Sequence, residues 1–278
     1  MKIGLIDYYL DEYHANHYPE WIKKASNGTI EAVYAYADID SPIGGKTTDA
    51  WCEEMKIERV HSIEEIVEKS DGLIVLSPDN PEQHERLCEI PLKSGKPTYV
   101  DKTFALTKDI ALRIFENAHK NNTPCYSASS VRFAVEYKNI DKSQVESITS
   151  LGPGPLSNYT IHQLEPVIML MGADVERVKF TGTERWPAYV LEWKDGRRAH
   201  FSHHGWECPF TMAVAFQNET SEVIKIESDF YAQFITGLVE FFNTKKVQVP
   251  HEETIAIMTV REAIDKASSA TKDTWVKL

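Results

Sequence analysis

At 278 residues the chain exceeds one ordinary domain, and two domains are the natural expectation. A hydrophobic fraction of 42% suffices for a core of normal size. Acidic residues outnumber basic ones 42 to 30, a formal charge of −12, so nucleic acid and anionic membrane surfaces are poor partners.

No run approaches the roughly 20 apolar residues of a membrane span. The opening "MKIGLIDYYLDEYH" turns acidic at Asp7 and lacks the basic start and long apolar run of a signal peptide. Cys52, Cys88, Cys125 and Cys208 are scattered without CxxC spacing. They read as reduced thiols with no zinc cluster, and a cytoplasmic protein without a metal site is expected.

Through about residue 125, short β-rich runs alternate with helical patterns. "KIGLI", "AVYAYAD", "DGLIVLS", "PTYVD" and "TPCYSAS" read as five buried strands. Between them, "TTDAWCEEM" is a helix after a Gly-Gly turn, and "SIEEIVEKS" starts with Ser62 and Glu65 in capping-box spacing. A helix is expected from Glu82 to Lys93, ended early or kinked by Pro91. "TKDIALRIFENAHKNN" puts Ile110, Ile114, Phe115 and Ala118 on one face behind a Thr107 cap. Strands apolar throughout, each followed by a helix, imply a parallel sheet covered on both faces.

After residue 124 the pattern changes. A helix is expected over roughly Tyr159 to Met171. The runs "VESITSL", "RVKFTGTE", "AYVLEWKDG", "RRAHFSHHG", "TMAVAFQN" and "SEVIKIE", with turns such as Lys194-Asp195-Gly196, predict an antiparallel meander. Two helices close the chain, "DFYAQFITGLVEFFNT" with a Phe230, Phe234, Leu238, Phe241 stripe, and "HEETIAIMTVREAIDKASSA". The fold class is therefore α/β: a Rossmann-like parallel-sheet domain over 1–123, and an α+β domain with an open, mainly antiparallel sheet over 124–278.

The order of these pieces resembles the glucose–fructose oxidoreductase / inositol dehydrogenase / MocA (Gfo/Idh/MocA) family nearly end to end. "DGLIVLSPDNPEQHERLCEIPLKSGKPTYVDKT" looks like the family's stretch that ends in E-K-P, with His84 at its histidine and Lys102 at its lysine. "NYTIHQLEPVIMLMG" resembles the D-x-x-x-H-x-x-D helix, with His162 at the histidine and Glu165 at the final acid. The closing helix "ETIAIMTVREAIDKASSA" is similar as well.

The resemblance implies an NAD- or NADP-dependent oxidoreductase acting on a sugar, polyol or related hydroxy compound, assembled as a homodimer or homotetramer. Lys102 and His162 are then catalytic, with Asn158 in the family's aspartate position. Asp7, Tyr8, Tyr9, Asp38, Ser77, Pro78, His84 and Asp101 fall where the cofactor binds, and His14, Glu165, His204 and Tyr231 where a small-molecule substrate would. An ammonium past the end of a parallel strand can stabilise developing alkoxide charge, and a histidine can exchange a proton near neutrality.

The chain departs from the pattern at three places. The glycines of G-x-G-x-x-G become Asp7, Tyr9 and Glu12. Glycine lets the backbone approach a pyrophosphate, and a carboxylate about 4 Å from a phosphate costs on the order of 4 kcal/mol at an effective dielectric of 20. E-K-P becomes Asp101-Lys102-Thr103. Asn158 can hydrogen-bond but cannot take a proton.

An alternative follows: a cofactor-independent protein that binds a sugar-like ligand or catalyses epimerisation or elimination. Asp38 is either a ribose-binding acid, favouring NAD over NADP, or a plain turn aspartate. Tyr8, Tyr9, Tyr13, His14 and His17 form a polar helix start or an aromatic pocket suited to a sugar. In "HFSHHGWEC", His200, Ser202 and His204 share one strand face and His203 takes the other.

Overall fold

In the computed structural model, which describes residues 1–271 and 273–278, the apolar runs of the first half pair as an all-parallel sheet. Its strands are β1 (Lys2–Asp7), β2 (Glu31–Ala37), β3 (Glu58–Arg59), β4 (Gly72–Val75), β5 (Thr98–Val100) and β6 (Cys125–Tyr126). They lie in the order β3-β2-β1-β4-β5-β6, the doubly wound arrangement with its switch point between β1 and β4. β4 and β5 are buried along their whole length, as sheets with helices on both faces require.

The helices among these strands are α1 (Tyr13–Ala25), α2 (Thr48–Met55), α3 (Ile63–Lys69), α4 (His84–Cys88) and α5 (Lys108–Lys120). At α3 the Ser62 hydroxyl accepts from the Glu65 N–H (3.1 Å), and the Glu65 carboxylate reaches back to the His61 N–H (2.9 Å). The expected helix from Glu82 to Lys93 is broken. A 3-10 turn over Pro81–Gln83 leads into α4, and a second over Pro91–Lys93 follows it, because Pro91 has no N–H to continue the ladder.

The second half supplies β7 (Val145–Pro153), α6 (Leu156–Met171), β8 (Val175–Phe180), β9 (Ala188–Trp193), β10 (Arg198–His204), β11 (Thr211–Phe216) and β12 (Ser221–Lys225). α7 (Phe230–Thr244), α8 (His251–Ser269) and β13 (Trp275–Lys277) follow. The sheet order is β12-β11-β7-β10-β9-β8-β13. It is mainly antiparallel, as expected, but it is not a plain meander. β7 sits in the middle and pairs in parallel with β10, the chain crossing over through α6 before β8 to β10 are laid down.

The chain forms two compact units. Unit 1 comprises Met1–Ala105, Asp109–Ala128 and Ala232–His251, and unit 2 comprises Leu106–Lys108, Ser129–Tyr231 and Glu252–Leu278. Unit 1 is built around Ile3, Leu5, Ile74, Val75 and Tyr99, with Phe234, Leu238 and Phe241 of the α7 stripe, all fully buried. Each such side chain contributes about 1.5–3 kcal/mol by leaving water. In unit 2 the core is Ile148, Leu164, Val167, Leu191, Ala199, Val214 and Ile257. No helix among the described residues is long and apolar enough to cross a membrane.

Candidate active-site residues

Open parallel sheets bind ligands past the carboxyl ends of their strands, at the switch point. In unit 1, β1 reaches that edge at Asp7, which is 1% exposed. Its Oδ1 accepts from the Tyr8 N–H (2.7 Å) and from the hydroxyl of Ser77 (2.8 Å), just past β4. Its Oδ2 is buried with no hydrogen-bond partner among the described residues. Burial, aided by the charge of Asp101, pushes this carboxyl up to about 8, so it holds its proton at neutral pH.

Asp101, immediately after β5, is fully buried. Burial works to raise its carboxyl, but the His14 ring, and then Lys102, outweigh that and hold it below the usual carboxylate range. His14, in the first turn of α1, meets Asp101 Oδ2 through Nδ1. Asp101 Oδ1 accepts from the Tyr99 hydroxyl (3.2 Å) and the Lys102 N–H (2.9 Å). The His14 ring stacks on Tyr18 at 4.8 Å and 11°. Lys102 itself is buried, its Nζ lies 3.5 Å from the Pro78 carbonyl, and the Lys102–Thr103 peptide is cis.

Glu12 caps α1. Its Oε2 accepts from the His14 N–H (2.7 Å) and its Oε1 from the Ala15 N–H. Burial first, and then the charge of Asp7, raise this carboxyl well above its ordinary value. The groups that would cradle a pyrophosphate are the orphan N–H groups at this helix end. Two of them already hold the chain's own carboxyl, and the connection carries Tyr8, Tyr9, Leu10 and Asp11 where glycines would admit a phosphate. Asp11 is held below the usual range mainly by the Lys46 N–H (2.8 Å). A nicotinamide dinucleotide does not fit this edge in the pose its fold would ordinarily use.

The remaining unit 1 residues also have defined places. Asp38, just past the end of β2, is paired with the Arg86 guanidinium and accepts from the Tyr36 hydroxyl (2.9 Å). His84 is in the core, its ring nitrogens against the Leu76 (2.6 Å) and Phe104 (3.1 Å) carbonyls. Tyr8 is half-buried and meets the buried Tyr9 edge-on at 6.3 Å. His17 is fixed to the Tyr13 carbonyl (2.6 Å) and lies between the Tyr13 and Trp21 rings, 4.3 and 5.0 Å away.

In unit 2, α6 carries His162, Asn158 and Glu165. His162 Nδ1 lies 2.7 Å from the Ser129 hydroxyl, and its ring meets Tyr159 and Phe210 edge-on at 5.0 and 5.9 Å. The Ser129 N–H donates to Glu165 Oε1 (3.0 Å). Glu165 Oε2 is paired with Arg132 (2.6 Å), whose other nitrogen holds Glu253 (2.5 Å). Glu165 is 2% exposed; burial raises its carboxyl and Arg132 opposes the rise. It thus stands behind His162 as a support. Asn158 is half-buried, one helical turn ahead of His162.

Sequence reasoning missed Ser129, Arg132 and Glu253. The partners of Arg132 are 33 and 121 positions away, so no local spacing announces the triad. On β10, the buried His203 faces α6 and lies 3.1 Å from the Thr160 hydroxyl. His204 takes the other face, within 3.0 Å of the Ser202 hydroxyl and stacked on Trp186 at 6.0 Å. Both histidines line a groove of about 490 Å³ with Pro155, Trp186 and Asp265. Tyr231 is half-buried at the start of α7, against Phe230 (5.1 Å). No cluster of three or more His, Cys, Asp or Glu side chains among the described residues could hold a metal ion.

The fold is that of Gfo/Idh/MocA-type dehydrogenases. A probable dehydrogenase from Thermotoga maritima superposes with a TM-score of 0.78 at 15% identity, covering 100% of this chain and 98% of that one. Apo scyllo-inositol dehydrogenase from Lactobacillus casei gives 0.77 at 13% identity, over 99% and 97%. GenD2 from gentamicin A biosynthesis, in complex with NAD, gives 0.76 at 12%, over 100% and 96%. No family profile and no curated protein sequence matches the chain.

Proposed function

We propose that this chain is an enzyme acting on a sugar, polyol or related hydroxy compound by proton transfer, as in epimerisation or elimination, without hydride exchange with a bound dinucleotide. The observation that carries this reading is the Glu12 carboxyl on the first N–H groups of α1. The substrate class is supported by the scyllo-inositol dehydrogenase of the same fold. In this reading His162 of unit 2 exchanges the hydroxyl proton with its ring held by Ser129, and Asn158 of the same helix positions the substrate; within unit 1, taken by itself, Lys102 is the candidate for polarising a substrate oxygen.

A second reading, an NAD- or NADP-linked oxidoreductase on the same substrates, is favoured by the NAD complex of GenD2. Titration with NADH and NADPH, followed by fluorescence and calorimetry, separates the two. The proton-transfer reading expects no saturation up to millimolar cofactor. Saturation at micromolar concentrations overturns it and leaves the oxidoreductase.

A further inference from the structure

We infer that the groove of unit 2 between the β8–β9 turn and the start of α6 binds a neutral hydroxylated ring, a sugar or cyclitol, on a different face of α6 from His162. The inference goes beyond the reaction proposed above and does not depend on it.

One wall of the groove is a turn that its own sequence makes stiff. Between β8 and β9 the chain reverses over Thr183, Glu184, Arg185 and Trp186. The Thr183 N–H donates to the Trp186 carbonyl (3.0 Å), and the Trp186 N–H donates to the Thr183 hydroxyl (3.1 Å). Behind them the Thr181 and Gly182 N–H groups both donate to the Ala188 carbonyl (2.8 and 3.1 Å). Glycine permits that approach, because a Cβ on Gly182 would lie 2.3 Å from the Ala188 nitrogen.

This turn holds Trp186 in the groove wall with 48% of its surface exposed, its indole leaning on the His204 ring (6.0 Å, 27°). A lone exposed aromatic ring is ordinary on a protein surface. Here the ring is fixed, and it lines a concavity of about 490 Å³, inside the roughly 300–1,000 Å³ span of small-molecule sites.

The polar groups of the groove select the ligand. His203 is structural, because it is buried with Nδ1 3.1 Å from the Gly154 carbonyl and Nε2 3.1 Å from the Thr160 hydroxyl. The Glu184, Arg185 and Asp265 side chains form neither hydrogen bond nor ion pair among the described residues. The same holds for the Trp186 indole N–H and for His204 Nδ1. An anion would face two carboxylates, and a cation would face the guanidinium. A neutral ring edged with hydroxyls uses every group. Its O–H groups donate to Glu184 and Asp265, its oxygens accept from Arg185 and the indole N–H, and its C–H face lies on the indole.

The groove is separate from the ring held by Ser129. Leu156 and Ser157, which line it, sit roughly 120° and 140° around α6 from His162.

The test uses the intact protein. Its six tryptophans give six indole N–H signals in proton–nitrogen NMR, and the one lost in Trp186→Phe reports on the groove. Glucose, galactose, myo-inositol, maltose and cellobiose are titrated separately. At least one should move that signal along a saturating curve by about 50 mM, the weak end of specific binding. Glu184→Gln, Asp265→Asn and Trp186→Ala, the last followed by saturation transfer to the sugar signals, should each weaken that binding about tenfold. His162→Gln should leave it in place. The inference is overturned if no sugar moves the signal, or if inorganic phosphate or dilysine moves it where no sugar does. It is overturned as well if Trp186→Ala binds as the parent does, or if His162→Gln abolishes binding. Saturation by NADH, which overturns the proton-transfer reading, leaves the result of this titration standing.

Discussion

The two units bury charge in opposite ways. In unit 2, Arg132 lies between Glu165 and Glu253, and opposite charge offsets the cost of removing each from water. At the sheet edge of unit 1, Asp7, Glu12 and Asp101 are buried with His14 and Lys102; burial raises the carboxyls of Asp7 and Glu12, and Asp7, pushed up to about 8, meets the cost by keeping its proton. The first arrangement is a brace whose value is geometric. The second is a store of acidity at the edge where folds of this kind hold ligands. The same residue types support structure in one place and offer chemistry in the other, according to how their charge is compensated.

The largest effect that would break this comparison is expected at Asp7. Its folded value lies above its unfolded one, so its contribution to stability is complete below the ordinary 3.8 and is lost as pH rises through about 8. Asp7→Asn should therefore gain on the parent by about 1 kcal/mol or more for each pH unit across that window. Thermal melts of both proteins from pH 5 to pH 9 check it, and parallel curves would show that Asp7 is ionised throughout. Next is Arg132→Met, which strands two carboxylates and should cost about 3–5 kcal/mol in urea unfolding. The companion Arg132→Met/Glu165→Gln/Glu253→Gln should recover most of that loss, and no recovery would mean the side chain acts by packing. The smallest effect is Glu12→Ala, which removes a helix cap worth about 1 kcal/mol. That variant should also let α1 take up inorganic pyrophosphate, by calorimetry, where the parent does not.

The architecture was largely legible because its signals are local. Ser62 and Glu65 announce α3, and Gly196, at φ +90°, makes the turn between β9 and β10. Buried runs such as "DGLIVLS" read as parallel strands. The parallel β7–β10 pair was not legible, since strand order depends on where α6 crosses and not on the composition of either strand. At the candidate site the sequence showed that acids replace glycines, but not what the acids do. Glu12 is a rarer cap than Ser, Thr, Asp or Asn, and only its extended backbone, φ −137° and ψ 171°, turns its side chain onto the helix. The His14–Asp101 contact spans 87 positions, beyond any spacing rule.

β13 has a consequence for handling the protein. It covers the outer row of β8 through Trp275, Val276 and Lys277, with the Trp275 ring 4.5 Å from the Arg177 guanidinium and 5.1 Å from the Lys179 ammonium. A protease cut or a rigid fusion that pulls this short strand away would bare β8 as a template for strand exchange between molecules. Preparations clipped there should cloud or form soluble aggregates before unit 1 loses any structure.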